Sequence, residues 1–370
     1  TTLRSARFMR RSSPGMKHER PVIILRPCAG AESGLHHLLA SSGSVVCTRD
    51  FLLRFAVATP VDRAFPIAQE AASELRAQGL DADVVLTGGG GPNRKVAQLA
   101  AALREPMRPD SLIVVVDSDV DLTGFELDVM LDQLEDDPGL GLVWAPPVDA
   151  GPVSSLGDRG ARAVLSGSFH AFPLLCGIDP SAVVGKTIAL RAEVLDATGG
   201  FDGLIEFLGE DIELSRRVRG LGLRVEPASV TVASCSSKRS LASVIARISR
   251  WMQVIRAQRR WLMPSYPLFF FAGSVLVIFG TALASIAHGW PSQAGAALAL
   301  CALLTRVGLS FVARRRCGQN VSMIGAVIDA VLGDLVLAFA FVRACCSRRF
   351  QWRGVGLQIG RDGRLLADDS

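Results

Sequence analysis

The chain has 370 residues, of which 49% are hydrophobic and 20% charged, with a formal charge of +5 and a mean hydropathy of +0.33. This exceeds the apolar content that the single core of a soluble enzyme needs, and it excludes a disordered chain. The length admits about two domains, or one domain with membrane spans.

Residues 1–20 are basic and polar, without the apolar run of about 7–15 residues that a secretory signal carries. The run 22–25 reads as a buried strand ending at Pro27, and 51–57 as a second. A helix is predicted over 67–80, with Gly79 near its end, then a strand over 83–86, a glycine loop over 88–91 and a helix over 96–103. The β-branched run 112–116 is a strand ending in Asp117, 142–145 a further short strand and 212–219 a helix. Strands alternating with helices predict an α/β domain with a mainly parallel sheet. Ligands of such sheets bind beyond the carboxyl ends of the strands, where Asp62 and Asp117 fall.

The last third differs. Residues 236–260 hold seven basic residues and no acid, just before apolar sequence, which reads as a cytoplasmic anchor on anionic lipid rather than a nucleic-acid patch. Residues 268–287 carry no charge and are flanked by Trp261 and Trp290, so this is the cleanest membrane-crossing candidate. A second candidate, 293–313, contains Arg306, and a third, 322–342, contains Asp329 and Asp334; buried core helices are the plain alternative for both. The basic run places the start of the first span in the cytoplasm, and Arg314, Arg315 and Arg316 place the end of the second there too. A third crossing would export Arg343, Arg348, Arg349 and Arg353, so the third stretch is expected to be a re-entrant or interfacial hairpin, with its two Asp on a wet or protein-lined side. All but four of the 40 basic residues are Arg, and none of the eight Cys forms a C-x-x-C pair. No disulfide framework or zinc site is expected, and the thiols fit a reducing compartment.

Three constellations can carry chemistry. Asp117-Ser118-Asp119 follows a buried strand, and two carboxylates so placed suit an oxygen-loving divalent cation that also grips a diphosphate. A turn or helix cap is the plain alternative. An EF-hand beginning at Asp117 fails, because Leu122 stands where Gly is needed and Asp128 where Glu is needed. Gly209-Glu210-Asp211 opens a helix; its carboxylates either complement the macrodipole or supply a general base for an acceptor hydroxyl. Arg247, Arg250 and Trp251 are spaced i, i+3, i+4 and share a helix face, where two guanidiniums can hold diphosphate oxygens and an indole can pack a sugar or base. A juxtamembrane basic face with a Trp anchor is the alternative. Gly185-Lys186-Thr187 lacks the glycine of a P-loop, since position 180 is Pro.

In this order these residues resemble a GT-A glycosyltransferase, and with the apolar tail they resemble glycosyltransferase family 21, the ceramide glucosyltransferases and their bacterial hopanoid-glycosylating relatives. The likeness runs from about Pro21 to Leu366. It includes Ile24-Leu25-Arg26-Pro27 with Gly30 and Glu32; Phe55-Ala56-Val57 with Asp62; and Gly91-Pro92-Asn93-Arg94-Lys95 for the family's G-x-N-P-K. It continues through Asp117-Ser118-Asp119, the segment from Gly185-Lys186-Thr187 to Gly199-Gly200-Phe201, Glu210-Asp211, and Arg247 to Trp251 for (Q/R)-x-x-R-W. Asp334 and Trp352-Arg353-Gly354 resemble the tail. Val61 and Arg63 replace the paired Asp and Pro often found beside Asp62, and Arg94 replaces Pro. The family usually has an apolar span ahead of its catalytic domain, and residues 1–20 hold none.

The resemblance implies a GT-A domain over 21–240, behind a basic segment at 1–20 and ahead of a juxtamembrane R-x-x-R-W segment at 241–262, membrane segments at 263–345 and a tail at 346–370. It implies a membrane-bound inverting transferase moving a sugar from a UDP-sugar, UDP-glucose favoured, to a lipid hydroxyl, with a ceramide-type acceptor favoured. UDP-N-acetylglucosamine transfer to bacteriohopanetetrol is the alternative; a non-catalytic membrane scaffold with a decayed site is another, supported only by Val61 and Arg63. Asp117 and Asp119 would hold Mn2+ or Mg2+, Asp119 directly. Asp211 would be the base, with Asp62, Lys95, Asp117, Arg247, Arg250 and Trp251 serving the donor. The partners implied are a lipid acceptor and the bilayer, with no nucleic acid and the oligomeric state left open. The expected location is multi-pass in a bacterial inner membrane, with the catalytic domain cytoplasmic.

Overall fold

A computed structural model describes residues 20–88, 90–104, 110–352, 355–360 and 362–367. Residues 1–19 of the basic segment, Gly89 of the glycine loop and Arg353 and Gly354 of the tail motif lie outside the described residues. The chain forms two compact units, Thr1–Pro147 with Leu175–Cys235, and Val148–Leu174 with Ser236–Ser370.

The strands in chain order are β1 Val22–Cys28, β2 Phe51–Val57, β3 Asp81–Leu86, β4 Leu112–Val116, β5 Val120–Asp121, β6 Leu140–Trp144, β7 Pro147–Asp149, β8 Thr187–Arg191, β9 Arg224–Pro227 and β10 Val232–Ser234. The helices are α1 Leu35–Ala40, α2 Ala64–Ala77, α3 Arg94–Ala102, α4 Leu127–Glu135, α5 Leu156–Leu165, α6 Ala171–Ile178, α7 Ala192–Ala197, α8 Glu210–Gly220 and α9 Leu241–Gln258. They are followed by α10 Ser265–Phe269, α11 Ala272–Ile286, α12 Trp290–Arg316 and α13 Met323–Cys346, and then by the antiparallel strands β11 Arg349–Trp352, β12 Val355–Ile359 and β13 Leu365–Ala367.

The first unit is built on a seven-stranded sheet in the order β3-β2-β1-β4-β8-β6-β9. Pairing is parallel except on both sides of β8. β1, β4, β6 and β8 are buried at every residue, as largely apolar strands of a sheet covered on both faces must be. β2 and β4 occupy their predicted ranges, while β1 runs on through Pro27 to Cys28. α2 starts three residues ahead of its predicted start, where Asp62 Oδ1 accepts the Ala64 N–H at 2.9 Å. α3 starts early because Asn93 caps it, its side chain accepting from the Val96 N–H at 3.2 Å. Arg94 then falls on the first helical position, the place where proline is otherwise favoured because that N–H bonds nothing within the helix. The substitution for Pro is therefore tolerated locally.

In the second unit α12 and α13, of 27 and 24 residues, are long and apolar enough to cross a membrane. At 1.5 Å per residue they span about 40 and 36 Å. The first apolar stretch, the cleanest candidate in sequence, is instead broken: the helical segment 260–268 meets α11 at a 51° bend. α11 alone has 15 residues, about 22 Å, short of a hydrocarbon core of about 30 Å. Aromatic side chains occupy the break, with Tyr266 stacked on Phe270 at 5.2 Å and Phe271 edge-on to Phe341 of α13 at 6.0 Å. The third stretch is one continuous helix rather than a hairpin. The charges that flaw the second and third stretches pair with each other. Arg306 grips Asp334 through Nε at 3.0 Å and Nη2 at 2.6 Å, and Asp329 takes Arg314 and, at 2.7 Å, Arg159.

α11 and α12 form a close hairpin. A Cβ on Gly280 would lie 2.7 Å from the Gly295 carbonyl oxygen and the Ala299 nitrogen, and one on Gly295 would meet the Gly280 oxygen at 2.7 Å. Only glycine permits this approach. Gly280→Leu is expected to lower unfolding free energy by about 1–3 kcal/mol, the usual cost of overpacking. Gly308→Ala, whose Cβ meets nothing within 4 Å, is expected to change it little. Melting of the detergent-solubilised protein distinguishes the two.

Candidate active site

Parallel register aligns Val22 with both Phe51 and Leu112, so β1, β2 and β4 end on one edge of the sheet. Asp117 leaves β4 there, and the chain turns at once, with the Val120 N–H reaching the Asp117 carbonyl at 3.2 Å. Arg26 holds this turn from beneath. Its fully buried guanidinium donates to the carbonyls of Val120 at 2.6 Å, Asp117 at 3.2 Å and Leu38 at 2.7 Å, and to Ser42 Oγ at 2.8 Å. Burial pulls its pKa down to about 10, so it remains charged at neutral pH. From the other side β10 pairs with β5, and the Cys235 N–H donates to the Asp119 carbonyl at 2.7 Å.

β8 runs antiparallel to β4 with Thr187 opposite Val116, and the Asp117 N–H donates to the Lys186 carbonyl at 2.9 Å. Lys186 Nζ consequently reaches both Asp119 oxygens, Oδ2 at 2.6 Å, and Asp117 Oδ2 at 3.2 Å. Ser234 Oγ adds a contact to Asp119 Oδ2 at 3.3 Å. Lys95, at the start of α3, bridges Asp117 Oδ1 at 2.8 Å and Glu210 Oε1 at 3.0 Å. Asn93 donates from Nδ2 to Glu210 Oε2 at 3.1 Å and to the Phe207 carbonyl at 2.7 Å, which fixes the entry to α8. Asp211 accepts the Gly185 N–H at 2.8 Å and its neighbour's Ile212 N–H at 2.9 Å. A Cβ on residue 185 would lie 2.8 Å from Asp211 Oδ2, so glycine is required beside it.

The charges titrate accordingly. Burial works against the Asp117 carboxylate, but Lys95 and Lys186 outweigh it and hold the pKa below the usual range. Burial likewise opposes the Lys95 ammonium, and Asp117 with Glu210 reverses this and raises its pKa. Asp211 moves the other way. Burial, reinforced by Glu210 and only partly offset by Lys95, pushes it up to about 6.

Asp62 lies at the same edge, where its Oδ1 takes the Gly30 N–H at 2.7 Å as well as that of Ala64, tying the loop after β1 to the start of α2. Asp117 and Asp119 are hard oxygen donors of the kind Mn2+ or Mg2+ take. Among the described residues no group of three or more His, Cys, Asp or Glu surrounds one metal position. Two carboxylates suit a cation that completes its shell with substrate phosphate and water.

The structure thus gathers Asp62, Lys95, Asp117, Asp119 and Asp211 at one edge of the first unit. Arg247, Arg250 and Trp251 belong to the second, on α9, whose Val244, Ile248 and Met252 are buried. The Arg247 guanidinium lies 5.4 Å from the Trp251 ring centre, and Trp251 is 39% exposed. The chain entering α9 is clamped by Arg239, which reaches Asp149 at 2.7 Å and Asp158 at 2.9 Å; Asp158 also takes the backbone N–H groups of Lys238 and Arg239 at 3.1 Å. Sequence reasoning missed Lys186, Ser234, Asp149 and Asp158. For Lys186 no local sequence signal existed, since its place beside the D-x-D turn is set by the pairing of β8 with β4.

Arg26→Leu removes the donor from several buried carbonyls. It is expected to cost about 3 kcal/mol or more of stability, read by denaturant unfolding, because unsatisfied buried acceptors cost about 1–3 kcal/mol each. An unchanged midpoint would show that Arg26 does not hold the loop.

The sequence matches the family described as glycosyl transferase family 21 over residues 1–365. No curated protein matches it. Among solved structures it is similar to glucosyl-3-phosphoglycerate synthase from Mycobacterium tuberculosis in complex with Mn2+, UDP and glucosyl-3-phosphoglycerate, at 17% identity over 64% of this chain and 79% of that one, with a TM-score of 0.40. It is also similar to a mannosyltransferase from Pyrobaculum calidifontis in complex with GDP-Man and Mn2+, at 13% identity over 93% and 92% of the two chains, with a TM-score of 0.46. Both likenesses are distant. The family match spans nearly the whole chain and the fold is of the GT-A type, so the chain belongs to glycosyl transferase family 21 and is a glycosyltransferase.

Proposed function

We propose that this chain is a membrane-bound, inverting glycosyltransferase that moves a sugar from a UDP-sugar, UDP-glucose first, to the hydroxyl of a ceramide-type lipid. The observation that carries the chemistry is the joining of Asp211 to the D-x-D turn through two consecutive residues. Gly185 donates its N–H to Asp211, and Lys186 binds Asp117 and Asp119. A carboxyl raised to about 6 is a base matched to neutral pH.

Asp211 takes the proton of the acceptor hydroxyl as its oxygen attacks C1 of the sugar from the face opposite UDP. The new C–O bond forms as the bond from C1 to the UDP oxygen breaks. Asp117 and Asp119 would hold Mn2+ or Mg2+, whose chemistry there is to neutralise charge on the departing diphosphate. The family resemblance would give Arg247 and Arg250 to the diphosphate and Trp251 to the sugar. Asp62 and Lys95 serve the nucleotide end of the donor.

The membrane reading rests on α11 to α13. The α11–α12 hairpin exposes Leu276, Ile278, Phe279, Leu300 and Leu304. α13 exposes one stripe, Ile324, Val327, Ile328, Val331, Leu335 and Phe339, while its other face packs on α9 through Val336, Leu337, Ala340 and Ala344. Arg256 of α9 donates to the Cys345 carbonyl at 2.6 Å, which fastens the end of α13 to the basic helix. In this reading α13 lies along the cytoplasmic interface, with its stripe in lipid. Arg343, Arg348 and Arg349 then stay on the cytoplasmic side, as the charge rule requires. A lipid acceptor is hardly soluble in water, so its hydroxyl is met at the membrane surface.

Asp211→Asn is expected to keep UDP-sugar binding within about twofold and to cut transfer by about 10²–10⁴, the usual contribution of a positioned base. Wild-type turnover in this variant would remove Asp211 as the base. Because burial raises this carboxyl, the wild-type rate should fall as pH drops through about 6 rather than about 4, the ordinary aspartate value. A pH profile of transfer shows which. For topology, a membrane-impermeant maleimide should label the exposed Cys345 and Cys346 in inside-out vesicles and not in intact spheroplasts, with the double Ser variant as the blank. Labelling of those residues only from outside would mean that α13 crosses.

A further inference from the structure

All the carboxylate oxygens of the D-x-D pair face lysines. Asp117 Oδ1 is on Lys95 at 2.8 Å and Oδ2 on Lys186 at 3.2 Å, and both oxygens of Asp119 are on Lys186. A dication that takes Asp119 as a ligand must therefore displace the Lys186 ammonium, which occupies both oxygens of that carboxylate. The backbone of Lys186 cannot follow the ammonium. Its carbonyl accepts the Asp117 N–H at 2.9 Å, and the preceding Gly185 N–H is held by Asp211 at 2.8 Å. Only the four-carbon side chain is free to swing.

We propose that Lys186 is a positioning residue that couples metal entry to donor entry: its ammonium holds Asp119 and Asp117 until a diphosphate arrives, then transfers to a phosphate oxygen and leaves Asp119 to the cation. A lysine suits this exchange, since its ammonium is a mobile point charge with three donors and binds phosphate without a fixed geometry. Ser234 Oγ, 3.3 Å from Asp119 Oδ2, steadies that carboxylate through the exchange. The inference rests on the reading of Asp117 and Asp119 as the metal and diphosphate site. It adds that cation and nucleotide bind cooperatively, each weakly alone, and that this chain contains the device that makes them so.

The test is Mn2+ binding by the full-length, detergent-purified protein, read by electron paramagnetic resonance with and without UDP. Wild type should bind Mn2+ at least about tenfold more tightly with UDP than without. Lys186→Met should bind Mn2+ alone about tenfold more tightly than wild type, and most of the gain from UDP should vanish. Lys186→Met binding Mn2+ no more tightly than wild type, or keeping the full UDP effect, overturns the proposal. If Lys186→Met does not fold, the wild type still decides: Mn2+ should raise its melting temperature only when UDP is present, and an equal rise from Mn2+ alone overturns the proposal. Asp119→Ala separates this from failure of the underlying reading. If that variant keeps wild-type Mn2+ binding, the metal site itself is misassigned, whereas loss of Mn2+ binding there with no Lys186 effect rejects the coupling alone.

Discussion

Four carboxylates, from Asp117, Asp119, Glu210 and Asp211, converge at the carboxyl edge of the sheet, and the two ammonium groups of Lys95 and Lys186 make that convergence possible. Like charges at such distances repel by several kcal/mol in a medium of reduced dielectric, so without lysines among them the turn after β4 and the entry to α8 could not share one space. The lysines are delivered by different parts of the fold. Lys95 comes from α3, whose start Asn93 fixes, and Lys186 comes from the chain entering β8, whose antiparallel pairing with β4 sets it opposite Asp117. The same arrangement leaves Asp211 with backbone N–H partners rather than an ammonium of its own. That is why burial and Glu210 dominate it and its pKa rises while that of Asp117 falls.

The rest of the first unit keeps this cluster in register. Arg26 is buried within a strand, yet its guanidinium spends its bonds on the carbonyls of the D-x-D turn, so a charge in the core serves as a bracket for the loop above it. In the second unit charges are again used in pairs. Arg306 with Asp334, and Arg159 and Arg314 with Asp329, satisfy groups that would be costly alone among apolar helices. Away from the helix ends, these pairs leave the exposed faces of α11 to α13 largely apolar.

Much of this was legible in the residues. The D-x-D turn follows a strand that occupies its predicted range, and the Glu-Asp pair does open a helix. The mainly parallel sheet follows from the alternation of strands and helices. Lys186 was not legible as part of the cluster, because its place depends on an antiparallel pairing across 70 residues of sequence that no local pattern encodes. The break near Phe271 was hidden for a similar reason. An uncharged run reads as one span, whereas the bend follows from aromatic packing against α13, more than 60 residues on. Asp329 and Asp334 looked like flaws one at a time and make sense only beside their arginines.

The activity proposed for the cluster is transfer of sugar to a lipid. Mass spectrometry of total lipids from cells lacking the chain, beside cells with it restored, tests that activity most directly. Cells lacking the chain are expected to lose one glycosylated lipid class, its aglycone accumulating, and to recover it only when the restored chain carries an intact Asp211. An unchanged glycolipid profile would contradict that activity.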